Sequence, residues 1–598
     1  MTQAMNRSDR ARWIPLAVFV YLAIVTAAKT AGMPDFLLGM MNDSALRLVE
    51  VRDLLNGQPW FDMRQPRLGL EGGFEMHWSR LVDAPIAGLI LLLDLFTSRA
   101  QAEYLAIFAW PLAMLALAMW LAGGIAATLG GPRAAPFAAA LAGLMLWQEV
   151  RFLPGAVDHH NVQIVLLLAM VLGVLGRHDG PARPVLAGLA LAASLAVGVE
   201  TVPQLALCTL GMAGFWLARG APERAATMRF AAGGIGGLAV LFPATAPASA
   251  YAGGFCDALS VDLALPAALG MGAMAACAWA VSHRSPATRA AAMGALFAAI
   301  GAGTIAIMPS CLHNPLDTLD PYLVERWLNF VSEARGLGEL ISGPAKPYLL
   351  GYYLLGLAAA LIAGGYAWAQ KSGNWLLLAL LLAAGLAITV YQLRGATALL
   401  ALSAPVMGVL ITRLHQAWRS NRRPAAALAA LACFVLSLPM VWAETLSGAE
   451  AVFSRIAPPA KAAPTPDDET RACFTAASMA TLAALPTGTV SAPSNLGAQI
   501  LLHTDHRTLS GPYHRNQSGM RRQLEITMAP TPSAARTLLS QTGVDYMVLC
   551  PDDPEIATLH RHGFSGFGHL LETGALPDFL ARVPHGDADS ALMIFAVR

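Results

Sequence analysis

From Trp13 to Trp442 the chain keeps returning to long apolar runs, and then it stops. A helix needs about 20 apolar residues to cross a bilayer, where no water can satisfy its backbone. Segments of this kind fall at roughly 13–31, 104–129, 134–150, 161–176, 184–200, 203–218, 228–248, 262–282, 289–308, 347–368, 374–391, 397–413 and 425–442. The run from Ala84 to Phe96 is too short to span and reads as a helix along the interface. Only 13% of the 598 residues are charged, against about a quarter in soluble domains. The sequence therefore predicts a polytopic α-helical membrane protein with about thirteen transmembrane helices over 1–442. Residues 443–598 are mixed and polar; the runs TVSAP and YMVLC predict strands and Thr531 to Gln541 a helix, so this part reads as a soluble α/β domain. A net charge of +1 argues against a nucleic-acid partner.

Sidedness follows from the positive-inside rule. With Arg7, Arg10 and Arg12 in the cytoplasm, every loop on that side is basic, from Arg133 through Arg284 and Lys371 to Arg422. No small-residue cleavage site follows the first apolar run, which favours a retained anchor over a signal peptide. The opposite side receives two large loops, 32–103 and 309–346, and the C-terminal domain. The implied setting is a bacterial inner (plasma) membrane with that domain in the periplasm. Cys256, Cys311, Cys473 and Cys550 fall on this oxidising side, where pairings Cys256–Cys311 and Cys473–Cys550 stand against free buried thiols.

Three polar islands lie at the outer rims of apolar segments: Asp43 in Asn42-Asp43-Ser44, Asp158-His159-His160, and Glu333 in FVSEARGL. Ionisable groups are costly there and mark functional sites by default. Carboxylates suit Mg²⁺ or Mn²⁺, and an imidazole tilts the choice toward Mn²⁺. Asp158 and His160 are two residues apart, so an extended segment would aim both the same way; equally, Asp158 would cap a helix beginning near Asn161. Glu200 reads as a solvated helix end. Arg47, Glu50 and Arg52 read as surface pairs; His503, Asp505, His506 and His514 invite a zinc reading, but their spacing matches no standard site and they read as a loop cluster turned toward an acceptor.

The first loop reads MNDSALRLVEVRDLLNGQPWFD and then GGFEMHWSRLVDAPIAGLILLLDLF. With Asp-His-His after the third span and Val331-Ser332-Glu333 in the fifth outer loop, this resembles the catalytic subunit of the oligosaccharyltransferases, especially the archaeal single-subunit enzymes, over about residues 1–450. The resemblance implies a GT-C glycosyltransferase fold with a metal held by Asp43, Asp158 and His160. It implies catalytic roles for Asp43 and Glu333, and a donor phosphate met by His77, His159 and Arg394. It implies an inverting transfer of a sugar or oligosaccharide from a polyprenyl (di)phosphate. The family's Trp-Trp-Asp-Tyr-Gly motif is missing, since no Trp follows Trp442. A different acceptor is therefore expected, an extracytoplasmic glycan, lipid or protein hydroxyl. Two alternatives stay open: a protein oligosaccharyltransferase with a divergent acceptor pocket, and a polysaccharide or lipid transporter. A transporter would carry internal repeats and mid-membrane polar groups, and neither is seen.

Overall fold

A computed structural model describes residues 11–30, 41–308, 315–331, 334–340, 346–454, 472–551, 553–584 and 591–598. Each of the thirteen apolar segments falls on a helix. Among the described residues seven helices are long and apolar enough to cross a membrane, the longest being Arg99–Gly130. Four more, Ile14–Thr30, Ala135–Leu146, His160–Leu175 and Ala182–Val197, are apolar but shorter. The last predicted segment is broken: Pro424–Leu436 and Pro439–Ser447 meet at 82°. Pro439 explains the break, because it has no amide hydrogen to continue the ladder.

The bundle turns large apolar side chains outward, Trp120, Trp279, Trp368, Leu210 and Leu361 among them, each more than 60% exposed. Water would not tolerate such a belt, whereas lipid supplies its partner. The protein is an integral membrane protein. Between helices, lipid gives no hydrophobic drive, so close packing of small residues takes over. Helix Ala182–Val197 lies against Arg224–Thr245 with glycine facing backbone. A Cβ on Gly188 would sit 2.1 Å from the Phe230 carbonyl oxygen, and one on Gly233 would sit 2.2 Å from that of Val185.

The first large loop is folded. Helix Asn42–Leu55 leads to a short antiparallel pair, β1 (Arg64–Gln65) and β2 (Phe74–Glu75), and then to helix Arg80–Asp94, begun by the Ser79 hydroxyl accepting from the Leu81 amide. Leu91, Leu92, Leu95 and Phe96 are all more than half exposed, in keeping with a helix along an apolar boundary.

The C-terminal domain is a mixed five-stranded sheet in the order β4 (Arg507–Thr508), β3 (Thr489–Ser491), β5 (Tyr546–Leu549), β7 (Met593–Val597), β6 (Leu580–Arg582). Strands β4, β3 and β5 are parallel; β7 is antiparallel to both neighbours. Thr531 caps the helix Pro532–Thr542. Cys473 and Cys550 form a disulfide, Cys256 is also disulfide-bonded, and Cys311 lies outside the described residues.

This domain sits on the first loop as a cap. Leu501, Leu502 and Tyr513 share one apolar cluster with Ala45, Leu48 and Trp78. Tyr513 donates to the Asn42 carbonyl (3.0 Å), and Arg67 donates to the carbonyls of Thr504 and Leu501 (2.8 and 3.0 Å).

Candidate active site

A cavity of about 800 Å³ opens where the helical bundle meets the cap. Its wall carries Asp43, Asp158, His160 and Arg394, which come from segments more than a hundred residues apart. Glu149, Arg151 and Tyr352 line it from the bundle side, Arg326 from the second large loop, and Ser494, Asn495, Glu555 and Thr558 from the cap. Two of the three polar islands thus reach one space. Glu333 lies outside the described residues, while Val331, two positions before it, lines the same cavity.

Local structure explains how these groups are aimed. Asp43 stands in the first turn of helix Asn42–Leu55, where the unpaired amides favour a negative charge. Asp158 stands in a bend just before helix His160–Leu175, whose N-cap is His159. Its Oδ1 accepts from the His160 amide (2.9 Å), and the residue lines the cavity without the extended segment or the N-cap position read from the sequence. His160 Nδ1 lies 3.2 Å from Asp158 Oδ1, yet it is buried without a hydrogen-bond partner. The two atoms form an ion pair when His160 is protonated, and a cation bound between them would take the place of that proton. Burial opposes the charge of Asp158, but the His160 and His159 imidazoles outweigh it and hold the carboxyl well below its usual range.

Behind this wall runs a buried chain of partners. His159 Nε2 meets Glu200 Oε1 at 2.9 Å, and Gln163 donates to the other Glu200 oxygen. On its far side His159 Nδ1 is 3.4 Å from Arg47, whose guanidinium pairs with Asp83 (2.6 Å) and stacks over Trp78 (4.3 Å). The His159 and His160 rings stack at 4.4 Å, so the chain sets the orientation of His160. Burial works against the Glu200 charge, and His159 more than compensates, leaving that carboxyl well below its usual range.

Several expectations change here. Glu200 is no solvated helix end but a partner of His159, and with His159 and His160 it forms a group whose ligand atoms lie within 4.8 Å of one another. The trio Asp43, Asp158 and His160 is not among such groups, although all three line the cavity. Arg47 and Glu50 are buried rather than surface pairs, because the cap and the Arg80–Asp94 helix cover them. Arg52 is partly buried and paired with Glu103 (2.8 Å). His159 faces Glu200 and Arg47 instead of the cavity, and His77 stands in a second cluster with His514 and Asp257. The histidine-rich cap segment does not act as a unit: His506 is buried against the carbonyl of Leu482 (2.8 Å), while His514 pairs with Asp257 (2.7 Å). Asn516 is also buried, donating to the Leu509 carbonyl.

Asp83, Glu149, Arg151 and Glu555 were not singled out from sequence. A carboxylate inside the apolar run LVDAPIAGLILLL was the available signal for Asp83. Glu149 and Arg151 lie just before the Asp-His-His island, where Arg151 donates to Thr397 (2.7 Å) and Thr397 to Glu149 (3.1 Å).

No protein-family model matches the sequence, and no curated protein matches it. Solved structures do match. The oligosaccharyltransferase AglB from Archaeoglobus fulgidus, solved with an inhibitory peptide and a dolichol-phosphate, is 15% identical, with a TM-score of 0.66 over 97% of this chain and 74% of that one. The Archaeoglobus fulgidus enzyme with a tethered acceptor peptide gives 0.62 at 16% identity, over 90% of this chain and 69% of that one. The same enzyme with zinc and sulfate gives 0.60 at 15% identity, over 92% and 70%. The chain therefore shares the fold of the Archaeoglobus fulgidus oligosaccharyltransferase.

Proposed function

We propose that this protein is a membrane glycosyltransferase that moves a sugar from a polyprenyl (di)phosphate to a hydroxyl-bearing acceptor beneath the cap. One observation carries this reading: Asp43, Asp158, His160 and Arg394 line a single cavity at the junction of an apolar bundle and a polar domain. A polyprenyl-linked sugar needs both environments, lipid for its tail and water for its head. The solved relatives support the same class of substrate, since one holds a dolichol-phosphate and another zinc with sulfate.

In this reading the acceptor oxygen attacks the anomeric carbon on the face opposite the phosphate. The carbon–phosphate-oxygen bond breaks, the phosphate leaves with the electron pair, and the configuration inverts. Asp43 orients the acceptor and takes its proton, together with Glu333. Arg394, permanently charged, receives the departing phosphate through charge-assisted hydrogen bonds. His77 and His159 stand outside the cavity lining, so we assign the phosphate to Arg394 and give His159 the task of orienting His160. Asp158, His160 and Asp43 present two carboxylates and an imidazole, a donor set that fits Mn²⁺ or Mg²⁺. Such an ion, when bound, would offset negative charge on the phosphate. The polar cap residues Ser494, Asn495 and Thr558 face the acceptor side, which suits a glycan, lipid or protein hydroxyl. We place the cap and cavity on the periplasmic face, as the basic loops imply.

The test uses the full chain in detergent with Mn²⁺ and radiolabelled polyprenyl-linked sugars. Transfer to a cell-envelope extract by the wild type, and its loss in Asp43→Ala and Glu333→Ala, is the expected result. Label moving across reconstituted vesicles without a new glycosidic bond would favour a transporter and overturn the proposal.

A further inference from the structure

A second cluster of ligating groups lies outside the cavity, and the mechanism above does not use it. His77 follows β2 on the first loop, Asp257 belongs to the segment before helix Val261–Val281, and His514 comes from the cap. One ligand atom from each falls within 4.8 Å of the other two. The His77 and His514 rings face each other with centroids 4.6 Å apart. His514 Nε2 is 2.7 Å from Asp257 Oδ2. His77 Nδ1 is buried and has no hydrogen-bond partner, an arrangement that costs free energy unless something fills it.

We infer that His77, Asp257 and His514 form a zinc site that staples the cap to the membrane domain. Two imidazoles and a carboxylate are a ligand set zinc commonly takes, with nitrogen and oxygen at about 2.0–2.2 Å. The His514 nitrogen and the Asp257 oxygen hydrogen-bond to each other at 2.7 Å, shorter than the roughly 3.3 Å between two ligands of one tetrahedral zinc, so the ion would take the place of that proton and spread the pair. Arg515 decides the choice of metal. It grips both Asp257 oxygens (2.7 Å each), so the carboxylate's charge is already shared. A hard cation such as Mg²⁺ or Mn²⁺, which relies on carboxylate charge, gains little here, while the two imidazoles favour zinc. Arg515 also fixes the carboxylate's orientation, as outer partners of metal ligands do. The three ligands come from three separate segments, so binding would tie loop, bundle and cap together.

The site is independent of the transfer chemistry and is tested without an activity assay. The full chain in detergent is titrated with Co²⁺ as a spectroscopic substitute for zinc, and bound metal is counted by elemental analysis after Zn²⁺ loading. Wild type and Asp158→Asn are both expected to give tetrahedral Co²⁺ absorption and to retain one zinc equivalent at this site. His514→Ala and the isosteric Asp257→Asn are expected to lose both signals. Zinc should raise the melting temperature of the wild type but not that of His514→Ala. A wild type that binds no tetrahedral Co²⁺ overturns the inference, as does a zinc content unchanged in Asp257→Asn or one lost in Asp158→Asn instead.

Discussion

Two acidic residues on different segments, Asp158 and Asp83, have opposite characters. Asp158 faces an open cavity beside an imidazole nitrogen with no hydrogen-bond partner. Asp83 is sealed, with Arg47 on one oxygen (2.6 Å) and Arg80 on the other (3.0 Å), and none of its side chain is exposed. Both sit near the rim of a membrane bundle, so position alone does not separate chemistry from architecture. What separates them is saturation. A carboxylate held by guanidiniums on both oxygens with no ligating imidazole beside it holds helices together, whereas one beside a histidine nitrogen that lacks a hydrogen-bond partner is available to substrate or metal.

The contrast breaks most readily at the sealed end. Asp83→Ala leaves two buried guanidiniums uncompensated and is expected to cost roughly 3–5 kcal/mol, seen as loss of folded protein by size-exclusion and thermal melting. Asp158→Asn should do the reverse, keeping the melting temperature within a degree or two while sugar transfer falls about 10²–10³-fold. Arg394→Ala is expected to raise the donor KM by about tenfold or more with kcat less affected, since a charge-assisted contact is worth about 1.5–3 kcal/mol. Glu200→Gln, which weakens the hold on His159, should lower metal affinity by about 10–100-fold, read by metal titration. The smallest effect on transfer belongs to Glu50, sealed beside Arg47 (3.8 Å). Burial and the neighbouring Asp83 push its carboxyl up to about 8. Its folded-state pKa lies above the ordinary carboxylate value, so the folded form binds the extra proton and stability falls as pH rises from about 4.5 to 8. Glu50→Gln should flatten that fall in melting temperature and leave transfer intact.

The apolar spacing made the helices legible, and the rims of those helices pointed to Asp43, Asp158, His160 and Glu333, whereas Arg394 came from the family resemblance. Periodicity and hydropathy report only what a residue does along its own segment. They cannot tell that Arg47 will be covered by a cap arriving some 450 residues later, which is why it read as a surface charge. Glu200 failed for the same reason: a helix-end acid and a buried partner of His159 look alike until Ala182–Val197 packs beside His160–Leu175. His77 and His514, 437 positions apart, carry no shared sequence signal at all. The bend at Pro439 was visible as a residue, although its 82° size depends on packing.

The central claim is that Asp43, Asp158 and His160 meet around one cation, and electron spin-echo spectroscopy of bound Mn²⁺ tests it most directly. The measurement is made in a His514→Ala background, so that the second cluster contributes no imidazole. The account predicts a ¹⁴N coupling from one imidazole that disappears when His160 is also replaced by Ala, with Mn²⁺ affinity lost in Asp43→Ala. A nitrogen coupling that survives His160→Ala would place the ion elsewhere and contradict it.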